Sequence, residues 1–237
     1  MDKSKSTVDE IRNRFDHEVE RFSNLETGQS ATMDAALVLD IIQQSAARLC
    51  PHARAMLDIG CGAGNFTLKL LQALPNMDCT LIDLSQRMLD RAAQRVGGAT
   101  RGVVTCHQTD VRDYHPPTSA FDIVTAAAVL HHLRTEAEWR QVFQSIFSAL
   151  RPGGSLWVWD MIQHDTPAIE AVMQDRFHHH LVSLEGETYR DKVLAYIERE
   201  DTATSLNFQV DVAKAAGFNR VEILHKTAIF AAYVAIK

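Results

Sequence analysis

No stretch of this chain is apolar for long enough to cross a bilayer, so no membrane span is expected. Positive charge is short as well. Twenty-four Lys and Arg stand against thirty Asp and Glu, a net charge of −6. No broad basic field is available to hold a phosphate backbone, so duplex nucleic acid is not expected as the main partner, although a local patch for RNA stays open. The four cysteines, at positions 50, 61, 79 and 106, form no C-x-x-C pair. They read as reduced, mostly buried small residues, which fits the cytoplasm. Met1 to Ser6 have no apolar core behind them, so a signal peptide is not expected. Internal repeats and low-complexity tracts are missing too. Histidine is plentiful, but no H-x-x-x-H or H-E-x-x-H occurs. His178, His179 and His180 on a helix would point about 100° apart and could not converge on one ion. No metal is expected.

What is present is ordinary globular material: 46% hydrophobic and 23% charged residues, enough chain for one domain over residues 1–237 with a full core. The informative part is local. An apolar strand, Ala55 to Ile59, carries Asp58 near its end and breaks into Gly60-Cys61-Gly62-Ala63-Gly64, after which a helical pattern begins at Phe66. Glycines there allow close approach of backbone to a ligand, and a strand, a glycine loop and a helix start make a nucleotide-binding element. The dinucleotide fingerprint is G-x-G-x-x-G, and Asn65 holds its third position here, which disfavours an NAD(P)-linked oxidoreductase. A second strand, Cys79 to Ile82, leads to Asp83, placed as a ribose-binding acid would be. Ser85 then caps a helix over Gln86 to Val96. A third strand, Val103 to Cys106, ends near Asp110. A fourth, Phe121 to Thr125, runs into Ala126, Ala127 and His131-His132. Pro152-Gly153-Gly154 marks a turn into a fifth strand, Leu156 to Trp159. The chain finishes as a helix, a Gly217 cap and two alternating strands.

This ordered set resembles the class I S-adenosylmethionine (SAM)-dependent methyltransferases over about Met56 to Lys237. The resemblance implies an α/β fold: a seven-stranded, mostly parallel sheet with an antiparallel last strand and helices on both faces. It implies SAM as cofactor, S-adenosylhomocysteine (SAH) as product and a small-molecule acceptor. It implies a cofactor site built from Asp58, Gly60, Cys61, Gly62, Gly64, Asp83, Leu84, Met88, Asp110, Val111, Ala126 and Ala127. Asp83 would hold the ribose hydroxyls, Asp110 and Val111 the adenine. Small residues after the fourth strand would leave room for the methionine part. No Asn/Asp-Pro-Pro-aromatic motif and no Pro-Cys motif of the nucleic-acid-methylating enzymes occurs, which favours a small acceptor.

Two segments lie outside that core. Residues 1–50 hold an amphipathic helix over Thr7 to Phe22, with Val8, Ile11, Phe15, Val19 and Phe22 on one face, and a second helix over Met33 to Leu49. A loop over Gly28 to Thr32 joins them, with Ser30 or Thr32 as cap. Thr7 to Thr32 is a candidate lid; a helix that only patches the core is the other reading. Residues 161–206 are too long for a simple connection and read as helices, two of them Pro167 to Leu181 and Glu187 to Glu200; another follows at Phe208 to Ala216. This insert is expected to select the acceptor. His132 and Asp160 are the candidate catalytic residues, with His131, Trp159 and His164 near them. Use of the cofactor as in the carboxy-SAM synthases, a non-catalytic SAM-binding role, and a homodimer stay open.

Overall fold

The computed structural model describes residues 5–24 and 30–237. The expected loop residues Gly28 and Gln29, and the first four residues, lie outside this range. Eight strands are assigned among the described residues: β1 (Ala55–Ile59), β2 (Asp78–Asp83), β3 (Val104–Gln108), β4 (Phe121–Ala127), β5 (Leu150–Gln163), β6 (Thr204–Ser205), β7 (Arg220–Thr227) and β8 (Phe230–Ile236). They lie in the order β3-β2-β1-β4-β5-β8-β7, with β6 beside the end of β5. β1 to β5 pair in parallel, and β8 inserts antiparallel between β5 and β7. The strand order reverses at β1, between β2 and β4, which opens a crevice at their carboxyl ends. The sheet is the one the sequence implies, with the two-residue β6 added.

The helices are α1 (Val8–His17), α2 (Val19–Ser23), α3 (Ala35–Leu49), α4 (Asn65–Leu71), α5 (Gln86–Gly97), α6 (Glu136–Ala149), α7 (Pro167–Glu185), α8 (Glu187–Glu200) and α9 (Leu206–Ala216). Strand periodicity divides the core into two layers. Met56, Ile123, Trp157 and Trp159 pack with α3, α4 and α5 on one face. Leu57, Val124, Leu156 and Val158 pack with α6 and α9 on the other. The insert helices α7 and α8 form a third cluster, with Phe177, Leu181 and Val193 against Ile229 and Phe230.

Three local expectations change. The first amphipathic helix is not continuous: Glu18 leaves helical geometry (φ −109°, ψ 13°) between α1 and α2. Its carboxylate pairs with Arg14 at 2.9 Å and Arg21 at 3.4 Å. The residue before α3 is Asp34, not Ser30 or Thr32, and its side chain caps nothing. It meets His225 Nε2 at 2.9 Å instead. Finally, Pro152-Gly153-Gly154 lies inside β5 as a wide bulge, because the pairing passes from Phe121–Leu150 directly to Ile123–Ser155.

Candidate active site

The glycine loop closes the crevice at the end of β1. Gly60 has φ +63°, and a Cβ there would lie 2.5 Å from the Val129 side chain, so only glycine fits. A Cβ on Gly62 would meet nothing within 4 Å, since that side of the loop faces open space. Above it stands Asp83. One carboxylate oxygen accepts the Gly62 N–H at 2.9 Å and the other the Ser85 N–H at 2.8 Å. Ser85 caps α5 as expected, its hydroxyl accepting the Met88 N–H at 3.1 Å. Burial, with the Asp16 carboxylate adding to it against these N–H bonds, pushes the Asp83 carboxyl up to about 6.

Gly60, Cys61, Gly62, Asp83, Leu84, Met88 and Ala127 line one cleft, with Asp58 at its floor. Asp58 is fully enclosed. Its oxygens accept the hydroxyls of Thr67 at 2.5 Å and Thr125 at 2.7 Å, which ties α4 to the sheet. The Cys61 thiol is pushed up by burial and then by the carboxylates of Asp83 and Asp58, so it stays a neutral small side chain. Asp110 and Val111 line an adjoining recess with Leu84 and Val129. Burial opposes the charge on Asp110, but hydrogen bonds and attraction from Arg112 hold its carboxyl below the usual range. The donors and acceptors fit an adenosyl group: an open glycine loop, an acid with lone pairs to spare beside it, and an apolar recess edged by a carboxylate. Gly64 serves the helix packing beneath, where a Cβ would lie 3.0 Å from Val96. Gly64 does not line the cleft as expected, and neither does Ala126. Strand alternation turns it into the α6 and α9 layer, and Ala127 and Ala128 line the cleft instead.

The two histidines after β4 separate sharply. His131 Nδ1 lies 2.5 Å from Asp160 Oδ1, and its Nε2 lies 3.6 Å from Asp201 Oδ1. Burial opposes protonation, but the two carboxylates outweigh it and raise His131 to about 9, so it is an imidazolium at neutral pH. His132 is buried beside that cation, and burial followed by the His131 charge drives it well below the ordinary histidine value. Its ring is neutral, with Nδ1 3.3 Å from Asp201 Oδ1.

Asp160, expected as a catalytic acid or base, has no free capacity for that task. It accepts the backbone N–H groups of Val129, Leu130 and Met161 besides holding His131. A buried carboxylate so fully bonded fixes the loop after β4 and leaves proton transfer to another group. His131 Nε2, His132 Nδ1 and Asp201 Oδ1 lie within 4.8 Å of one another, close enough to share an ion. His178, His179 and His180 do not join them, and His180 Nε2 meets Ser30 O at 3.0 Å. His164 pairs with Glu170 at 2.9 Å, outside the pocket.

A second, aromatic pocket meets the cleft at His132. Phe15 and Phe22 from α1 and α2, Trp159, Phe177 from α7, Tyr196 from α8 and Phe230 wall it. Phe15, Phe22 and His132 border both spaces. The N-terminal helices lie across the crevice and are fastened on both sides. The Asn65 amide donates to Phe22 O at 2.8 Å, and the Ser85 hydroxyl donates to Asp16 at 2.5 Å. On the insert side Arg14 binds Glu200 through Nε at 2.9 Å and Nη2 at 2.6 Å. Lys5 donates to the carbonyls of Glu198 and Asp201.

Asn65, Arg14, Glu200 and Asp201 were not singled out from sequence. Asn65 was legible only as the residue that breaks the dinucleotide spacing. Phe15 and Phe22 showed as an apolar stripe, whose periodicity does not say whether it faces a core or a cavity.

A family model described as a methyltransferase domain matches residues 57–156. The chain is similar to malonyl-[acyl-carrier protein] O-methyltransferase of Paenibacillus sp. (strain JDR-2), 28% identical over 148 residues, 62% of this chain and 52% of that one. It is also similar to demethylmenaquinone methyltransferase of Deinococcus radiodurans, 28% identical over 169 residues, 67% of this chain and 68% of that one. The chain spans about half or less of the length of most curated relatives it matches. Among solved structures, Haemonchus contortus phosphoethanolamine N-methyltransferase 2 in complex with SAM shares the fold, with a TM-score of 0.63 at 20% identity over 92% of this chain and 46% of that one. The strand order with its antiparallel insertion, the strand-end residues in sequence and the matched domain agree: residues 57–156 match a methyltransferase domain, and the fold is that of the class I SAM-dependent methyltransferases.

Proposed function

We propose that this chain transfers the methyl group of SAM to a small-molecule acceptor held in the aromatic pocket. The carrying observation is that His132 borders the glycine-loop cleft, the Asp110 recess and the aromatic pocket alike. When bound, SAM supplies an electrophilic methyl: the acceptor–methyl bond forms as the sulfur–methyl bond breaks, and sulfur keeps the electron pair. The protein's own part is alignment and exclusion of water. Asp83 accepts the ribose hydroxyls and the Gly60–Gly64 loop seats the backbone of the cofactor. Asp110 and Val111 take the adenine. The lid segments α1 and α2 cover the reacting centre. His132, held neutral, takes the acceptor proton. The insert supplies Phe177, Tyr196 and Asp201 and thereby the acceptor's shape. A carboxy-SAM chemistry would call for surplus pocket arginines, whereas Arg14 and Arg21 both face acids.

Calorimetry is expected to show SAH binding at one site and negligible NAD binding; the reverse would end this reading. With an accepted substrate, His132→Gln should lower kcat about 100-fold or more, the usual scale of a lost general base, while SAH affinity stays within threefold. Full turnover by that variant would remove His132 from the mechanism.

A further inference from the structure

The recess beside the glycine loop contains a donor that nothing in the protein uses. Asp110 edges this recess, and apolar side chains of the lid, Val8 and Ile11, lie across it from Ile82 of β2. Two arginines, Arg112 and Arg134, stand in the same wall, and their hydrogen bonding differs.

Arg112 is fully engaged. Its backbone N–H and its Nε donate to Asp110 Oδ1 at 2.9 and 2.8 Å, and its Nη2 donates to Asp110 Oδ2 at 2.5 Å. Its Nη1 donates to Glu138 Oε1 at 3.2 Å. A fork bound to both oxygens fixes the Asp110 carboxylate in direction as well as in charge.

Arg134 is not. Glu138 Oε2 accepts its backbone N–H at 2.5 Å, which seats the residue at the head of α6. The far end of the side chain, Nη2, donates to the carbonyl of Ser6 just ahead of α1. Between these two anchors the Nε is buried and has no hydrogen-bond partner. Among the described residues no carboxylate forms an ion pair with this guanidinium, whereas Arg112 has two. A guanidinium does not shed its proton, so the Nε–H is a donor at every working pH. Buried polar groups are paired as a rule, and a donor of a charged group left unpaired is costly. The missing partner is an acceptor that enters the recess. An adenine ring beside Asp110 brings acceptors of the right kind, the in-plane lone pairs of N1, N3 and N7.

We infer that Arg134 is a cofactor-binding residue whose Nε–H donates to a ring nitrogen of the adenine, while Asp110 accepts from the exocyclic amino group. This rests on the methyltransferase reading above and deepens its cofactor site. The same guanidinium then ties the base to the start of the lid through Ser6.

The test uses SAH and its 1-deaza, 3-deaza and 7-deaza analogues, each with one ring nitrogen replaced by C–H. All four are titrated by calorimetry into the native chain and into Arg134→Met, which keeps the length of the stem and removes the guanidinium. One analogue is expected to bind the native chain at least about tenfold more weakly than SAH, the usual scale of a hydrogen bond from a charged donor. In the variant that analogue should come within threefold of SAH. Such coupling reports a direct bond, because a merely structural Arg134 would weaken SAH and every analogue alike.

Equal weakening of all four ligands would leave Arg134 a strap for Ser6 and overturn the inference. A native chain that binds every deaza analogue as tightly as SAH overturns it too. So does a set of penalties that all persist in the variant, since other donors then carry them. Melting curves check folding. If Arg134→Met does not fold, Arg134→Lys, which keeps the charge and lacks the Nε–H, replaces it with the same expected result. A native chain that takes no SAH overturns the methyltransferase reading and this inference with it.

Discussion

At the scale of single residues, Asp83 and His131 are both raised by their surroundings, which disfavours charge on the first and favours it on the second. Asp83 is raised to about 6 because burial disfavours its charge. The form that would accept two ribose hydroxyls is the carboxylate, so SAH affinity should fall as pH drops through about 6 and level off above it. Calorimetry from pH 5 to 8 measures this. Asp83→Ala should weaken SAH binding at least about 30-fold, since hydrogen bonds to a charged group contribute about 1.5–3 kcal/mol each. Unchanged affinity would reduce Asp83 to a loop brace. For His131 the carboxylates of Asp160 and Asp201 overcome burial and raise it to about 9, which keeps it charged. A histidine raised in the folded state adds stability that is fully present below its unfolded value near 6.5 and is lost as pH rises through about 9. Denaturant melts should therefore weaken over that window, by about 3 kcal/mol at most, and His131→Asn should flatten the dependence. The sequence showed two adjacent histidines after a strand and an acid at the end of the next. It could not show which histidine would be charged, because that depends on Asp201, which the insert carries in from 70 residues downstream of His131.

At the scale of elements, the lid is the segment whose placement matters most. α1 and α2 carry one buried side chain between them, Ile11. They are held largely by polar ties: Asn65 to the α2 backbone, Ser85 to Asp16 and Arg14 to Glu200. Few buried apolar contacts and many polar fastenings describe an element of low local stability. Removing Arg14 leaves the Glu200 carboxylate, 5% exposed, without its main partner, and breaking such a pair costs about 3–5 kcal/mol. Arg14→Ala should show this as faster amide hydrogen exchange over residues 8–23, with the exchange of β1 and β4 unchanged. Uniform acceleration across the chain would mean that the lid is part of the core fold. The amphipathic pattern of this stretch was legible. The interruption at Glu18 was not: its ion pairs, to Arg14 four residues before and Arg21 three after, have the spacing of an unbroken helix and do not announce a break.

At the scale of the whole molecule, one continuous sheet carries the cofactor cleft at its strand-order reversal, and the lid and insert meet above it. That division predicts that exchanging the insert over residues 161–206 for that of a related enzyme changes acceptor use while SAH affinity stays nearly the same. Parallel loss of both would make the insert part of the cofactor site. The same view bears on metal content. His131, His132 and Asp201 come within 4.8 Å of one another, but Asp160 already holds one ring nitrogen of His131 and the imidazolium supplies the positive charge that the carboxylates need. Elemental analysis of the purified protein is expected to show no stoichiometric transition metal, and chelator treatment to leave turnover intact. One ion per chain, lost on His132→Gln, would refute this.

The sequence by itself determined the nucleotide-binding half. The glycine loop, Asp83, the Ser85 cap and the order of strand ends are all local: each follows from backbone conformations and side chains within a few positions of one another, and spacing along the chain reports them directly. The Ala126 assignment failed within that half because a strand turns alternate residues to opposite faces, and only packing reveals which face lines the cleft. Tertiary structure alone decided the aromatic pocket. Arg14 and Glu200 are 186 positions apart, and their pairing is what fastens the lid to the insert beside the aromatic pocket. Such long-range matches arise from how α1 and α8 close over the sheet, a contact that no periodicity or motif in either segment encodes.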